Sequence, residues 1–120
     1  MITILVDEAY AFDFLAILEV KYDFSHDKNI FNKIIDCQQH IRDQIGLEKW
    51  EEVYTSREYS DLVEANRRTF YLVDKAKTDS CKASDVDRSN YERCKARNVL
   101  QMKFFNSAIT EKKFGYEKYD

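Results

Sequence analysis

VDRSNYERCKARNVLQMKF, residues 86–104, decides how this chain is read. Positions three and four apart within it are Val86, Asn90, Arg93, Arg97, Leu100 and Phe104. At the helical period these six share one face, apolar at its ends and Asn-Arg-Arg in its middle. A face that enters a core does not carry two guanidiniums unless something pairs them. The stretch therefore predicts a helix with either an internal ion network or an anion-binding site.

Working outward, Ser84 is expected to cap this helix, with Asp85 and Asp87 in the first turn and the end near Phe105. Residues 78–82 read as a loop. Before it, a helix from about Arg57 to Lys77 carries the stripe Tyr59, Leu62, Val63, Asn66, Phe70, Val73 and Lys77, with Asn66 at its centre. A short helix over Leu47 to Tyr54 turns Trp50 and Val53 inward. A helix from about Asp27 to Ile45 aligns Ile30, Ile34, Cys37, Ile41 and Ile45, and Gly46 suits its C-terminal exit.

The first helix, about Val6 to Phe24, carries the stripe Val6, Tyr10, Asp13, Phe14, Ile17, Val20 and Phe24, while Phe12, Leu15 and Leu18 cover much of the rest. A helix apolar on most sides is central. Asp7 or Thr3 can cap it, and the opening Ile2–Val6 reads equally as a strand or an arm. Residues 1–105 thus form one domain, an all-α bundle of four main helices and one short one. Residues 106–120 form a flexible or partner-docked tail, with Phe114, Tyr116 and Tyr119 among lysines.

Composition agrees. The 120 residues hold eight Phe, eight Tyr and one Trp, enough for a single core without disulfides. No proline and only two glycines argue against hairpins, which need their turn chemistry. The net charge of −3 disfavours non-specific nucleic-acid binding. Residues 1–60 hold 6 basic and 12 acidic side chains, and residues 61–120 hold 13 and 10, so the halves attract. Cys37, Cys81 and Cys94 form no CxxC. No basic n-region precedes the short apolar start, and no apolar run approaches the roughly 18 residues of a membrane span. The expectation is a cytoplasmic protein with free thiols and no membrane association.

Three blocks of this sequence resemble an uncharacterised family of short helical proteins of bacteria and phages, often encoded near surface-polysaccharide or sugar-nucleotide genes. The family's first helix reads Asp-Lys-x-Ser/Thr-Ile-Leu-Glu-Ile-Lys, and here Asp13-Phe14-Leu15-Ala16-Ile17-Leu18-Glu19-Val20-Lys21 stands in its place. A later block, Asn-x-x-x-Trp-x-x-x-Asp/Glu with a basic residue three further on, is matched by Asn66, Phe70, Asp74 and Lys77. The last, Thr-Asn-Asp-x-Arg-x-x-x-Lys, is matched by Ser89-Asn90-Tyr91-Glu92-Arg93 and Arg97. Phe14 replaces a Lys, Phe70 a Trp and Tyr91 an Asp. The resemblance covers roughly residues 12–105; it implies the helix order and no reaction.

The polar candidates are therefore Asp13, Glu19, Lys21, Asn66, Asp74, Asn90, Arg93 and Arg97. As structure, Asp13 accepts from Arg93 or Arg97, and the asparagines satisfy backbone groups. As a site, two arginines one turn apart hold a phosphate or carboxylate, and the asparagines read its edges. Asp13 and Glu19 lie on opposite sides of their helix and make no carboxylate dyad. His26 and His40 lack metal-ligand spacing, so no metal or cofactor is expected. Glu48, Glu51 and Glu52 read as a solvated face, as do Arg67, Arg68 and Lys75. Cys94, between Arg93 and Lys95, reads as a packing residue before a reactive thiol. The favoured function is a non-enzymatic interaction or accessory protein acting as a homodimer or with a protein partner. The alternative is a binder of, or enzyme on, a small anion such as phosphate, a nucleotide or a sugar nucleotide.

Overall fold

The structure, a computed structural model, describes residues 1–106. Five helices follow in order: α1 (Glu8–Ser25), α2 (Lys28–Ile45), α3 (Leu47–Tyr54), α4 (Arg57–Ala76) and α5 (Ala83–Phe105). There is no strand among the described residues, and residues 1–6 lie outside regular structure, as an arm. The expected tail beyond Asn106 lies outside the described residues.

Short polar side chains start three of the helices by accepting from orphan amides of the first turn. Asp7 accepts from the Tyr10 N–H at 3.3 Å, Asp27 from Asn29 at 2.7 Å, and Ser56 from Tyr59 at 3.1 Å. The start of α5 corrects the sequence expectation: Lys82, not Ser84, is the N-cap residue. Asp85 reaches back and accepts from the Lys82 N–H at 3.0 Å, the return half of a capping box. Gly46 ends α2 and begins α3 with φ +89°, where a side chain is strained.

Helix α1 is central and packs against α2, α4 and α5. Helices α4 and α5 form an antiparallel hairpin, tied by Thr69–Ser89 at one level and Glu58–Lys103 at another. Helix α1 also runs antiparallel to α5, with Ala9 beside Gln101 and Asp13 beside Arg97. Phe12, Leu15, Leu62 and Leu100 are sealed in the core. Each such side chain contributes about 1.5–3 kcal/mol by leaving water. The Phe12 ring stacks on Trp50 at 5.7 Å and meets Tyr59 edge-on at 5.8 Å, and Trp50 in turn stacks on Tyr54 at 4.7 Å.

The inward face of α2 is the expected one, with Ile34 and Ile41 buried and Ile30, Cys37 and Ile45 packed against the core. Two other stripes are only partly covered. On α1, Asp13 and Val20 are buried, but Tyr10, Phe14 and Phe24 are exposed. Three neighbours enclose more than half of α1, and the remaining arc carries Tyr10, Phe14 and Lys21 into solvent. On α4, Tyr59, Leu62 and Asn66 are buried as read, whereas Phe70 and Val73 stay exposed. The stack of Phe70 on Phe24, at 4.9 Å, sits at the end of α1, beyond which nothing from that helix covers α4.

The charge split of the sequence has a structural counterpart. The ion pairs Arg67–Asp23 at 2.9 Å, Arg97–Asp13 at 3.2 Å and Lys103–Glu58 at 2.9 Å each join a base of the second half to an acid of the first. Two of them are exposed and contribute little; Arg97–Asp13 is not. No helix among the described residues is long and apolar enough to cross a membrane.

Candidate functional site

Asp13 is 5 % exposed and Arg97 4 %, so their pairing at 3.2 Å lies inside the protein. Asp13 Oδ2 accepts from Arg97, and Oδ1 accepts from Asn66 Nδ2 at 2.8 Å. The second hydrogen of Asn66 Nδ2 goes to the Leu62 carbonyl at 3.0 Å, which fixes the amide on its own helix. The Arg97 guanidinium also lies 4.2 Å from the centre of the Tyr10 ring. One residue from each of α1, α4 and α5 thus meets at one level of the bundle. Leaving one charge of such a pair alone costs about 3–5 kcal/mol. This trio joins three helices at a fixed register.

The sequence reading did not name the contacts on either side of this trio. One turn on from Arg97, Gln101 is 1 % exposed; its Oε1 accepts from the Ala9 N–H at 2.8 Å, and its Nε2 donates to Glu8 at 3.3 Å. It satisfies an orphan amide at the start of α1 from 92 residues away. On the other side, Thr69 and Ser89 share a buried hydrogen bond at 2.7 Å, and the Thr69 hydroxyl also lies 2.9 Å from the Ala65 carbonyl. The one signal in sequence was position: Gln101 continues the spacing Arg93, Arg97.

Arg93 has a different fate from Arg97. It lines an open groove of about 170 Å³ with Ile17 and Val20 of α1 and Asn66, Thr69, Phe70 and Val73 of α4. Its Nε is shielded from solvent and has no hydrogen-bond acceptor. No described carboxylate pairs with it: both oxygens of Asp13 are engaged by Asn66 and Arg97. A shielded donor without an acceptor costs about 1–3 kcal/mol, and more on a charged group. The two arginines that the sequence placed on one face are thus brought to one side of the bundle and divided.

Glu19 belongs to a third cluster. Its carboxylate accepts from the Tyr54 hydroxyl at 2.6 Å and from the Tyr59 hydroxyl, and Gln38 donates to Tyr54 at 3.3 Å. Burial, reinforced by the nearby carboxylate, pushes both tyrosine hydroxyls above their ordinary range. Burial first, and Glu19 second, raise the Cys37 thiol from 9.0 to about 11. This is a carboxylate clasped by two phenols against the aromatic core, and it is separate from the Asp13 trio.

Lys21 and Asp74 are exposed and Asn90 is half-buried; none of the three joins Asp13. Asn66 of α4 lines the same groove as Arg93 of α5, and Asn90 is not among the residues that line it. Glu48, Glu51, Glu52 and Arg68 are exposed, and Arg67 is held by Asp23 and Glu64. The three cysteines are unbridged, and Arg97 contacts the Cys94 sulfur at 3.8 Å. Among the described residues no three His, Cys, Asp or Glu gather into a group that could hold a metal ion. Comparisons with protein-family models, with curated proteins and with solved structures return no match to this chain.

Proposed function

We propose that this chain is a non-enzymatic interaction protein that works by associating with a second copy of itself. The observation that carries this reading is the uncovered apolar surface at the start of α1. Ile2 is 90 % exposed and Ile4 70 %, with Leu5 and Val6 beside them, and Phe14 adds 57 % of its surface on the outer arc of α1. Exposed large apolar side chains gathered in one segment of chain are a mark of an interaction site. An arm outside regular structure and a helix face presented by the same chain can be exchanged reciprocally about a two-fold axis. The carboxylates Asp13 and Glu19 are engaged by Arg97, Asn66, Tyr54 and Tyr59, which favours a structural over a catalytic role.

Sedimentation equilibrium of the full chain from 5 to 200 μM (about the range of a modest dimer) tests this. A dimer that dissociates in Leu5→Asp and Phe14→Asp supports it. A monomer throughout the range, or a dimer indifferent to both changes, overturns it. With this reading we also propose a cytoplasmic location and kinship with short helical proteins of bacteria and phages.

The second reading is the small-anion one, and Arg93 favours it. Arg97 is withdrawn from it by Asp13.

A further inference from the structure

We infer that the α1–α4–α5 groove binds a small carboxylic acid with an apolar body, held through its carboxylate by Arg93. This goes beyond the self-association reading and does not depend on it.

The charge of the ligand follows from which donors remain. Arg97 is neutralised by Asp13. Both hydrogens of Asn66 Nδ2 are committed, to Asp13 and to the Leu62 carbonyl. The Thr69 hydroxyl lies between Ala65 O and Ser89 Oγ. Among the described residues Arg93 is the groove's one cation, and its shielded Nε still lacks an acceptor. A carboxylate presents two coplanar oxygens that two guanidinium N–H groups can hold side by side. One cation matches one negative charge. A nucleotide or sugar nucleotide would bring several charges to a wall whose described residues offer no further donor, and their desolvation would go uncompensated.

The body of the ligand follows from the walls. Ile17 and Val20 on one side and Phe70 and Val73 on the other are apolar, and Phe70 is steadied by its stack on Phe24. The volume of about 170 Å³ compares with a cavity of about 150 Å³ that takes benzene. A benzene ring or a chain of about six carbons fits, with the carboxylate at the Arg93 end.

Benzoate and hexanoate are the probes, titrated into the ¹⁵N-labelled full chain up to 5 mM, with benzyl alcohol and inorganic phosphate as controls. The expected result is saturable shifts at Ile17, Val73 and the Arg93 Nε–H for both carboxylates. Benzyl alcohol should bind at least about tenfold more weakly, as expected on losing a charge-assisted bidentate contact. Phosphate should not compete. Arg93→Gln should weaken binding about tenfold or more. Val73→Trp fills the groove at an exposed position without touching the arginine, and should abolish binding in a chain that still folds. No saturable shift with either carboxylate overturns the inference. So does binding unchanged by Val73→Trp, or shifts confined to other surfaces.

Discussion

Asp13 and Arg97, 84 residues apart, face each other at 3.2 Å with almost no surface left to water. The pair sets the register of α1 against α5, and Asn66 adds α4 to the same contact. Its worth is measured by a double-mutant cycle. Asp13→Leu alone should cost about 3–5 kcal/mol, because it removes the buried carboxylate to which Arg97 donates. Adding Arg97→Met should recover most of that loss, since apolar side chains of similar volume tolerate the site. Urea unfolding of the three variants reads the coupling directly; additive losses would show that the two charges do not act as a pair.

Gln101 ties the first helix to the last. With Gln101→Ala, the Ala9 N–H loses its acceptor in a sealed position. A loss of about 1–3 kcal/mol is expected. Hydrogen exchange should accelerate first at Ala9 and Tyr10, ahead of the middle of α1. Uniform acceleration along α1 would indicate that the amide is satisfied in another way.

Alkali should unfold this protein from the Glu19 side. The fold holds Cys37, Tyr54 and Tyr59 in their neutral forms, with the thiol raised from 9.0 to about 11 and both phenols raised as well. Stability from these groups is complete below their ordinary values and is lost as pH climbs through the raised ones, between about 9 and 11 for Cys37. The melting temperature should therefore fall across that window. At pH 8, Cys37 in the fold should have roughly a hundredfold less thiolate than in the unfolded chain, and alkylate correspondingly slowly. Glu19→Gln should reduce the alkaline drop, because the carboxylate's charge then no longer opposes ionisation.

How far this was legible in sequence differs from place to place. The helix order, the inward face of α2 and the entry of Trp50 and Val53 follow from period and caps, which are local properties. The polar middle of α5 announced that an arginine would be buried, and it is. Which of Arg93 and Arg97 would take Asp13 was not legible, since a single turn separates them on the same face. The answer depends on where α1 crosses. Phe70 and Val73 carried the same apolar signal as Leu62, yet they stay exposed because α1 ends beside Phe70 and covers them only in part. Periodicity reports the apolar face of a helix, not the extent of its cover. Gln101, Thr69 and Ser89 read as ordinary polar residues, and their partners lie on other helices.

Two arginines four residues apart stand in opposite places, Arg97 paired with Asp13 inside the fold and Arg93 on a groove wall with its Nε unmatched. The direct test is urea unfolding of Arg97→Met and Arg93→Met side by side. Arg97→Met should lose about 3 kcal/mol or more, by stranding Asp13. Arg93→Met should stay within about 1 kcal/mol of the native chain, or exceed it, since the change removes a shielded donor without an acceptor. The reverse order, with Arg93→Met the costly change and Arg97→Met the neutral one, would contradict the account.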